Sequence, residues 1–365
     1  MKLSRCARTA QGAALLNKDE GRSWSRWLRL LGSLRITLWL FIIFAVLILA
    51  HSFTEEHPPL LIALPLLLLA LNLLAALVTT ATLRCQLPLL IFHLALLALL
   101  LLIAIGRLSS FDGEIELTTG EAFNGVPSAA HSGPWHRTRL DQLKFMLRDF
   151  SIRYVPDSNG ISRDVTECKI AWIDERGVQQ DGIIGDHLPL LLHGYRIYTT
   201  ANKGFAPLFR WQTSDGAMRQ GSIHLPSWPA QQYNQALEWP LAGSNERVWT
   251  QLQFDEAILD PAHPSQFRPP SEHILVMRVG AERHELRPGD SINLGYGILT
   301  YLGLRTWMGF HITSDWTLPW LIAAGVIAAL SLAWHYARRF AAVPWGMGES
   351  TGSKELLGKG THEKE

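Results

Sequence analysis

Cysteine is scarce in this chain, with three among 365 residues, at Cys6, Cys85 and Cys168. No C-x-x-C occurs, which excludes a thioredoxin-like redox pair and a C-x-x-C-H haem-attachment site. Cys168 is the one cysteine of the long polar segment, so no disulfide forms within that segment. A buried thiol suits it better than a reactive one. Net charge is equally small, since 33 Lys and Arg against 32 Asp and Glu leave +1. There is no basic stripe with interleaved aromatics, so nothing points to nucleic acid. Catalytic motifs are missing too: no G-x-S-x-G, no P-loop, no H-E-x-x-H and no G-x-G-x-x-G opening a helix. His131 and His136 stand five apart with no third ligand nearby, a poor metal pair. His187 and His193 flank an apolar run and read as surface or strand-end residues. No small-residue cleavage site follows the first apolar run, so a cleavable signal peptide is not expected.

Long apolar runs are what the chain has in quantity. The strongest is Leu87 to Ile105, which holds no charge and a single histidine, His93. About 19 residues at 1.5 Å each reach about 28 Å, close to the thickness of a bilayer core. With the runs at 34–53, 60–82 and 318–338, four transmembrane helices are expected. A mean hydropathy of +0.09 is too low for a chain that is membrane throughout, so residues 106–317 should form a large aqueous domain. Residues 1–33 read as a leader whose Trp24, Trp27 and neighbouring arginines suit the headgroup interface, and 339–365 as a polar tail. Asn72, inside the second run, is placed to bond a neighbouring helix. Arg84, Cys85 and Gln86 read as a tight turn into the His93 run.

Outside 106–317, Lys and Arg collect in the leader, at its junction with the first run, at Arg84 and from Arg338 onward, whereas the 51–59 turn carries only Glu55 and Glu56. The positive-inside rule then puts both termini and the Arg84 turn in the cytosol, and the large domain outside. Within that domain, short runs rich in Val, Ile, Tyr and Trp recur between turn signals. Examples are Phe150–Val155, Lys169–Ile173, Gly194–Thr199, Val248–Phe254, Ile274–Val279 and Ile298–Leu304, with Arg287-Pro288-Gly289-Asp290 as a turn. Residues 219–246 read as irregular. The fold class is therefore membrane α plus β, with a β-rich extracytoplasmic domain between spans 3 and 4.

His93 is the candidate site. An imidazole inside an apolar run costs free energy unless it is paired, ligated or held in a protein-lined cavity. It can be bonded to Asn72 or to a backbone carbonyl, or it can present a ring nitrogen to haem iron, or relay protons. Counted from the Arg84 turn, it sits about a third of the way across.

The ordered set of segments resembles the ResB (CcsB) family of System II cytochrome c maturation. The opening LGSLRITLWLFIIFAVLILA is similar to that family's first span. The His93 run followed by GRLSSFDGEIELTTGEAF is similar to its third span and the strand beyond. HLPLLLHGYRIYTTANKGFAP resembles a segment of its outer domain, and residues 301–340 resemble its final strand and span. The resemblance implies a bacterial cytoplasmic (inner) membrane protein that works with a CcsA/ResC-type subunit. Together they carry haem b and present it to apocytochrome c for thioether attachment. It also implies that His93 supplies one axial ligand to the haem iron and the partner the other. The chain departs from longer family members in its shorter outer domain. Two rival readings stand beside this one: a membrane-anchored extracytoplasmic sensor or binding module, and a structural assembly factor without haem contact. In the leading reading the chain ligates and positions, and does not make bonds with its own side chains.

Overall fold

The structure, a computed structural model, describes residues 27–51, 53, 58–137, 139–158, 160–174, 176–226, 235–241 and 246–341. The leader before Trp27, the Glu55/Glu56 turn and the tail beyond Ala341 lie outside the described residues. The chain divides into two compact units, one up to Leu108 together with the part from Thr317, the other Ser109–Trp316.

The first unit is helical: α1 Leu34–His51, α2 Pro59–Thr79, α3 Ala81–Cys85, α4 Leu87–Ser109 and α5 Leu318–Ala341. Three of these, α2, α4 and α5, are long and apolar enough to cross a membrane, and α1 is a shorter apolar helix. The chain is a membrane protein. Pro59 opens α2 at a position where its missing N–H is no loss. The expected tight turn at Arg84 is instead the short helix α3, because extended backbone at Thr80 and Gln86 breaks the chain on either side of it. The His93 helix runs on through Gly106 and Arg107 to Ser109. Ala63 and Leu66 of α2 are buried with Ala104 and Leu108 of α4, and Phe44 of α1 packs on the same cluster.

Asn72 is buried and holds the start of α1. Its Oδ1 accepts from the Thr37 hydroxyl at 2.7 Å, and its Nδ2 donates to the carbonyl of Leu31 and, at 3.5 Å, to that of Ser33. Those carbonyls lie where the helical turn at 27–31 breaks at Gly32 before α1 begins. A side chain at Gly32 would meet the backbone of Ala75 and Ala76 at 2.7–2.9 Å, so only glycine allows this approach. Backbone contact through a small residue, plus one polar side chain, is how apolar helices associate where burial from water supplies no drive.

The second unit is built of strands. In chain order they are β1 Phe111–Thr118, β2 Ala129–Ser132, β3 Phe145–Asp157, β4 Gly160–Ile173 and β5 Gln179–Gly185. Then come β6 Leu190–Leu192, β7 Tyr195–Thr213, β8 Met218–Ser222, β9 Leu225–Pro226, β10 Ala236–Pro240 and β11 Arg247–Gln253. The last are β12 Ser265–Gln266, β13 Ile274–Val279, β14 Glu282–Leu286, β15 Ser291–Asn293 and β16 Gly297–Ser314. Among the described residues they form one sheet ordered β2-β1-β16-β7-β6, joined by β8, β9 and β15, and two four-stranded sheets, β10-β11-β13-β14 and β12-β3-β4-β5. Period-two alternation sets the faces: β1 buries Phe111, Gly113, Ile115 and Leu117 and exposes Asp112, Glu114 and Glu116. All three sheets meet in one core that includes Phe145, Ile152, Phe205, Tyr301, Phe310 and Leu275.

The spine is the antiparallel pair β7–β16, in register from Gly297↔Thr213 to Thr313↔Arg196 with irregularities at Tyr301/Gly303 and Met308/Phe310. The runs read as Gly194–Thr199 and Ile298–Leu304 are thus pieces of strands of 19 and 18 residues. Gly303 and Gly309 sit at those irregularities, inside one continuous strand. The stretch 219–246, read as irregular, contains most of β8, all of β9 and β10. Their pairing is carried by backbone bonds at sheet edges, which leave little apolar signal. Gly204 lies beneath the Trp307 indole, whose N–H donates to Leu225 O at 2.8 Å, and a Cβ there would sit 1.9 Å from that same oxygen.

Gly204→Ala is therefore expected to destabilise the strand unit by about 2 kcal/mol or more, as overpacking does in a filled core; denaturant unfolding followed by tryptophan fluorescence measures it. Asn72→Leu should cost about 1 kcal/mol in a detergent thermal melt. Adding Thr37→Val should then cost little more, because the two changes remove the same bond.

Candidate functional site

His93 lies in the second turn of α4, half-buried within the chain. Its Nδ1 is 2.7 Å from the carbonyl oxygen of Leu89, one turn back. A carbonyl only accepts, so Nδ1 carries the proton and donates, and a neutral ring then has a lone pair on Nε2. Nε2 makes no hydrogen bond among the described residues. Asn72 is committed to α1 and does not reach the ring. Phe92 meets the imidazole edge-on, with ring centroids 5.3 Å apart. One nitrogen is thus satisfied locally and the other is a basic atom inside an apolar helix.

The other histidines singled out are committed or exposed. His136 donates from Nδ1 to Ser109 O at 3.1 Å, and its Nε2 accepts from the Tyr195 hydroxyl at 2.9 Å, so both its ring nitrogens are in use. His187 is exposed at a bend, and His193 takes a left-handed φ of 50° in the tight turn between β6 and β7. Among the described residues no group of His, Cys, Asp or Glu could hold a metal ion. Cys168 is fully buried on β4 between Phe150 of β3 and Ile184 of β5. Burial foremost, with the nearby Asp186 carboxylate, pushes its thiol up to about 12.

Two polar arrangements had no signal in the sequence, because their members are far apart in it. His224 donates from Nδ1 to Glu116 at 2.8 Å, lies 2.9 Å through Nε2 from the Thr118 hydroxyl, and stacks on Trp307. Thr118 in turn meets the Ser222 hydroxyl at 2.6 Å, and Ser222 donates to Glu121 at 3.2 Å. This chain of bonds ties the Thr-Thr-Gly-Glu end of β1 to the segment after β8. Elsewhere, His273 Nε2 lies 2.7 Å from the Tyr301 hydroxyl beside a cleft of about 890 Å³ lined by Phe254, Glu256, Ser271 and Arg287 among others. Burial holds His273 below its usual range and the Tyr301 phenol above its own, so both are neutral at neutral pH.

The model of the ResB-like family matches residues 85–343. The chain belongs to the ResB-like family. The match begins at Cys85 and so takes in α4, the whole strand unit and α5. Among solved structures the chain is similar to one titled Cytochrome c Heme Lyase CcmF, with 12% identity, 82% of this chain and 34% of that chain covered, and a TM-score of 0.25. The chain thus spans about a third of that protein's length, and the likeness is too slight to carry an argument about function. No curated protein matches.

The Cys168 thiol of this ResB-like chain is expected to be inert while folded. At pH 8, iodoacetamide should leave Cys168 unmodified in the native protein and alkylate it at an ordinary thiol rate in guanidinium, read by mass spectrometry of the Cys168 peptide. Equal rates in the two states would show that the thiol is open.

Proposed function

We propose that this ResB-like chain is a subunit of a membrane complex that carries haem and positions it for covalent attachment to cytochrome c, in the manner of System II. Supporting this reading is the state of His93. Its Nδ1–H is held by Leu89 O, which fixes the ring orientation and leaves Nε2 basic. A second hydrogen bond of this kind is what iron-ligating imidazoles use to set their tautomer. An apolar helix also gives the nitrogen no water to bond, so a ligand for it offsets a real desolvation cost. The residues present fit haem to this extent: His93 would hold the iron through Nε2, and a CcsA/ResC-type partner would supply the other ligand. The haem so held is cargo, haem b, to be joined through thioether bonds to the C-x-x-C-H of apocytochrome c. The chain's own contribution is to hold, orient and shield, and the rate gain comes from proximity.

The same reading makes α1 a fourth span. Its 18 residues, at 1.5 Å each, reach about 27 Å, and Asn72 and Gly32 hold it to α2. The basic residues Arg84, Arg338 and Arg339 in the last turns of α3 and α5 support, by the positive-inside rule, an orientation in the bacterial inner membrane with those ends and both termini cytosolic and the strand unit outside.

The test is the visible spectrum of the full chain purified with its candidate partner, as wild type and as His93→Gly. A Soret band lost or shifted in the variant and restored by added imidazole is expected, together with a loss of covalent cytochrome c in cells. A spectrum unchanged by the substitution, with normal cytochrome c output, would remove His93 from the site and favour the structural-assembly reading.

A further inference from the structure

The strand unit is entered and left at one end of one sheet. The chain comes in through β1 and goes out through β16, and these strands are neighbours, with Phe111 opposite Ser314. The sheet end is closed by several bonds. The Ser314 hydroxyl donates to Gly194 O at 3.2 Å in the β6–β7 turn. Gly133 N donates to Ser110 O at 2.9 Å, and the Trp316 indole N–H to Ser109 Oγ at 3.0 Å. His136 and Tyr195 brace the same place, since the Tyr195 hydroxyl also accepts from Arg139 N at 3.3 Å.

Large apolar side chains face outward here. Trp135, in the turn that bonds Ser110, is 61% exposed, Trp316 is 55% exposed, and Leu191, on the β6 edge, is 67% exposed. Arg137, Arg139 and Arg196 are exposed beside them, Arg196 lying opposite Leu191 in the β6–β7 pair. None of the three guanidinium groups makes an ion pair among the described residues. Two tryptophans, a leucine and three uncommitted arginines suit a surface that is apolar below and anionic above, and tryptophan and arginine are the side chains that span such a boundary. Covalent continuity supplies the surface. Ser109 is the last residue of α4 and Leu318 the first of α5, both long and apolar enough to cross a bilayer, so lipid headgroups lie within a few residues of this sheet end.

We propose that this end of the strand unit is a lipid-contact collar. Trp135, Trp316 and Leu191 seat at the headgroup–acyl boundary, and Arg137, Arg139 and Arg196 meet lipid phosphates. The collar fixes the height of the strand unit on the bilayer. It requires only that α4 and α5 cross the membrane, and it stands apart from any haem contact at His93.

The opposite end of the same sheet provides the control. Ile298 and Met218 are also exposed, and β16 separates Ile298 from Ser314 by about 50 Å at about 3.3 Å per residue. The experiment places the photo-crosslinking residue p-benzoylphenylalanine at Trp135, Trp316, Ile298 or Met218, one site at a time, in the full chain. The chain is reconstituted into vesicles of phosphatidylethanolamine and phosphatidylglycerol. Ultraviolet light is expected to attach phospholipid at 135 and 316 several-fold more than at 298 and 218, read by mass spectrometry. Combining Arg137→Ser, Arg139→Ser and Arg196→Ser should lower the yield at 135, most in vesicles rich in phosphatidylglycerol. Lipid attached at 135 no more than at 298, or protein attached there in place of lipid, overturns the proposal.

Discussion

The antiparallel pairing of β7 with β16 is the constraint on which the strand unit rests. These two strands run side by side along nearly their whole length, and β1, β6, β8, β9 and β15 all add to one or the other. A ribbon this long, twisting as strands do, stays in register only if its faces are distinct along its length. At the middle the buried run Gly204–Phe209 pairs with Tyr301–Trp307, and a slip there would displace side chains that the core already encloses. Gly204 has its reason there: the Trp307 indole crosses the strand to reach Leu225 O, and any Cβ would occupy the path. The His224 network with Glu116, Thr118, Ser222 and Glu121 then sits directly on this crossing, since His224 stacks on the same indole. The network locks the neighbouring strand β1 to the ribbon through groups that water would otherwise compete for.

The helical unit follows a different logic, because apolar burial does not distinguish a helix from the lipid beside it. Specificity has to come from polar atoms and from backbone approach. Asn72 gives both its ends to the start of α1, and Gly32 lets that start lie against Ala75 and Ala76. Neither residue is remarkable by composition, yet together they determine where α1 meets α2.

Much of this was legible in the residues. Unbroken apolar runs announce membrane helices because the bilayer's thickness dictates a length, and Phe150–Val155 or Val248–Phe254 announce strands because their alternation matches a half-buried sheet. What stayed hidden has a common cause. Gly194–Thr199 and Ile298–Leu304 read as short strands, and their continuation, through irregularities such as those at Gly303 and Gly309, follows from pairing, on which local pattern is silent. The stretch 219–246 reads as irregular because edge strands such as β8 and β10 are held by their backbone, on which side-chain pattern is silent. The network of His224 joins residues about a hundred apart in sequence, and contact at that distance is a product of topology. Asn72 was readable as a helix-bonding residue, although not as a partner of Leu31 and Thr37.

Histidine shows how the medium decides what a ring nitrogen means. His136 has both nitrogens bonded, as does His224, so neither has an atom to offer. His311 gives Nε2 to the Asp112 carboxylate and His263 gives Nδ1 to Asp260. Both histidine side chains are partly open to the surface, where an unpaired acceptor costs little. His93 has one nitrogen on its own helix backbone and the other on no partner among the described residues, within a run of Leu, Ile, Phe and Ala. In hydrocarbon that second nitrogen is costly, by several kcal/mol in the limit where nothing bonds it. A Leu or Phe at the position would remove the cost at no loss to the helix. Where the helix lies in hydrocarbon, a ligand or a partner's donor that takes up Nε2 would offset that cost.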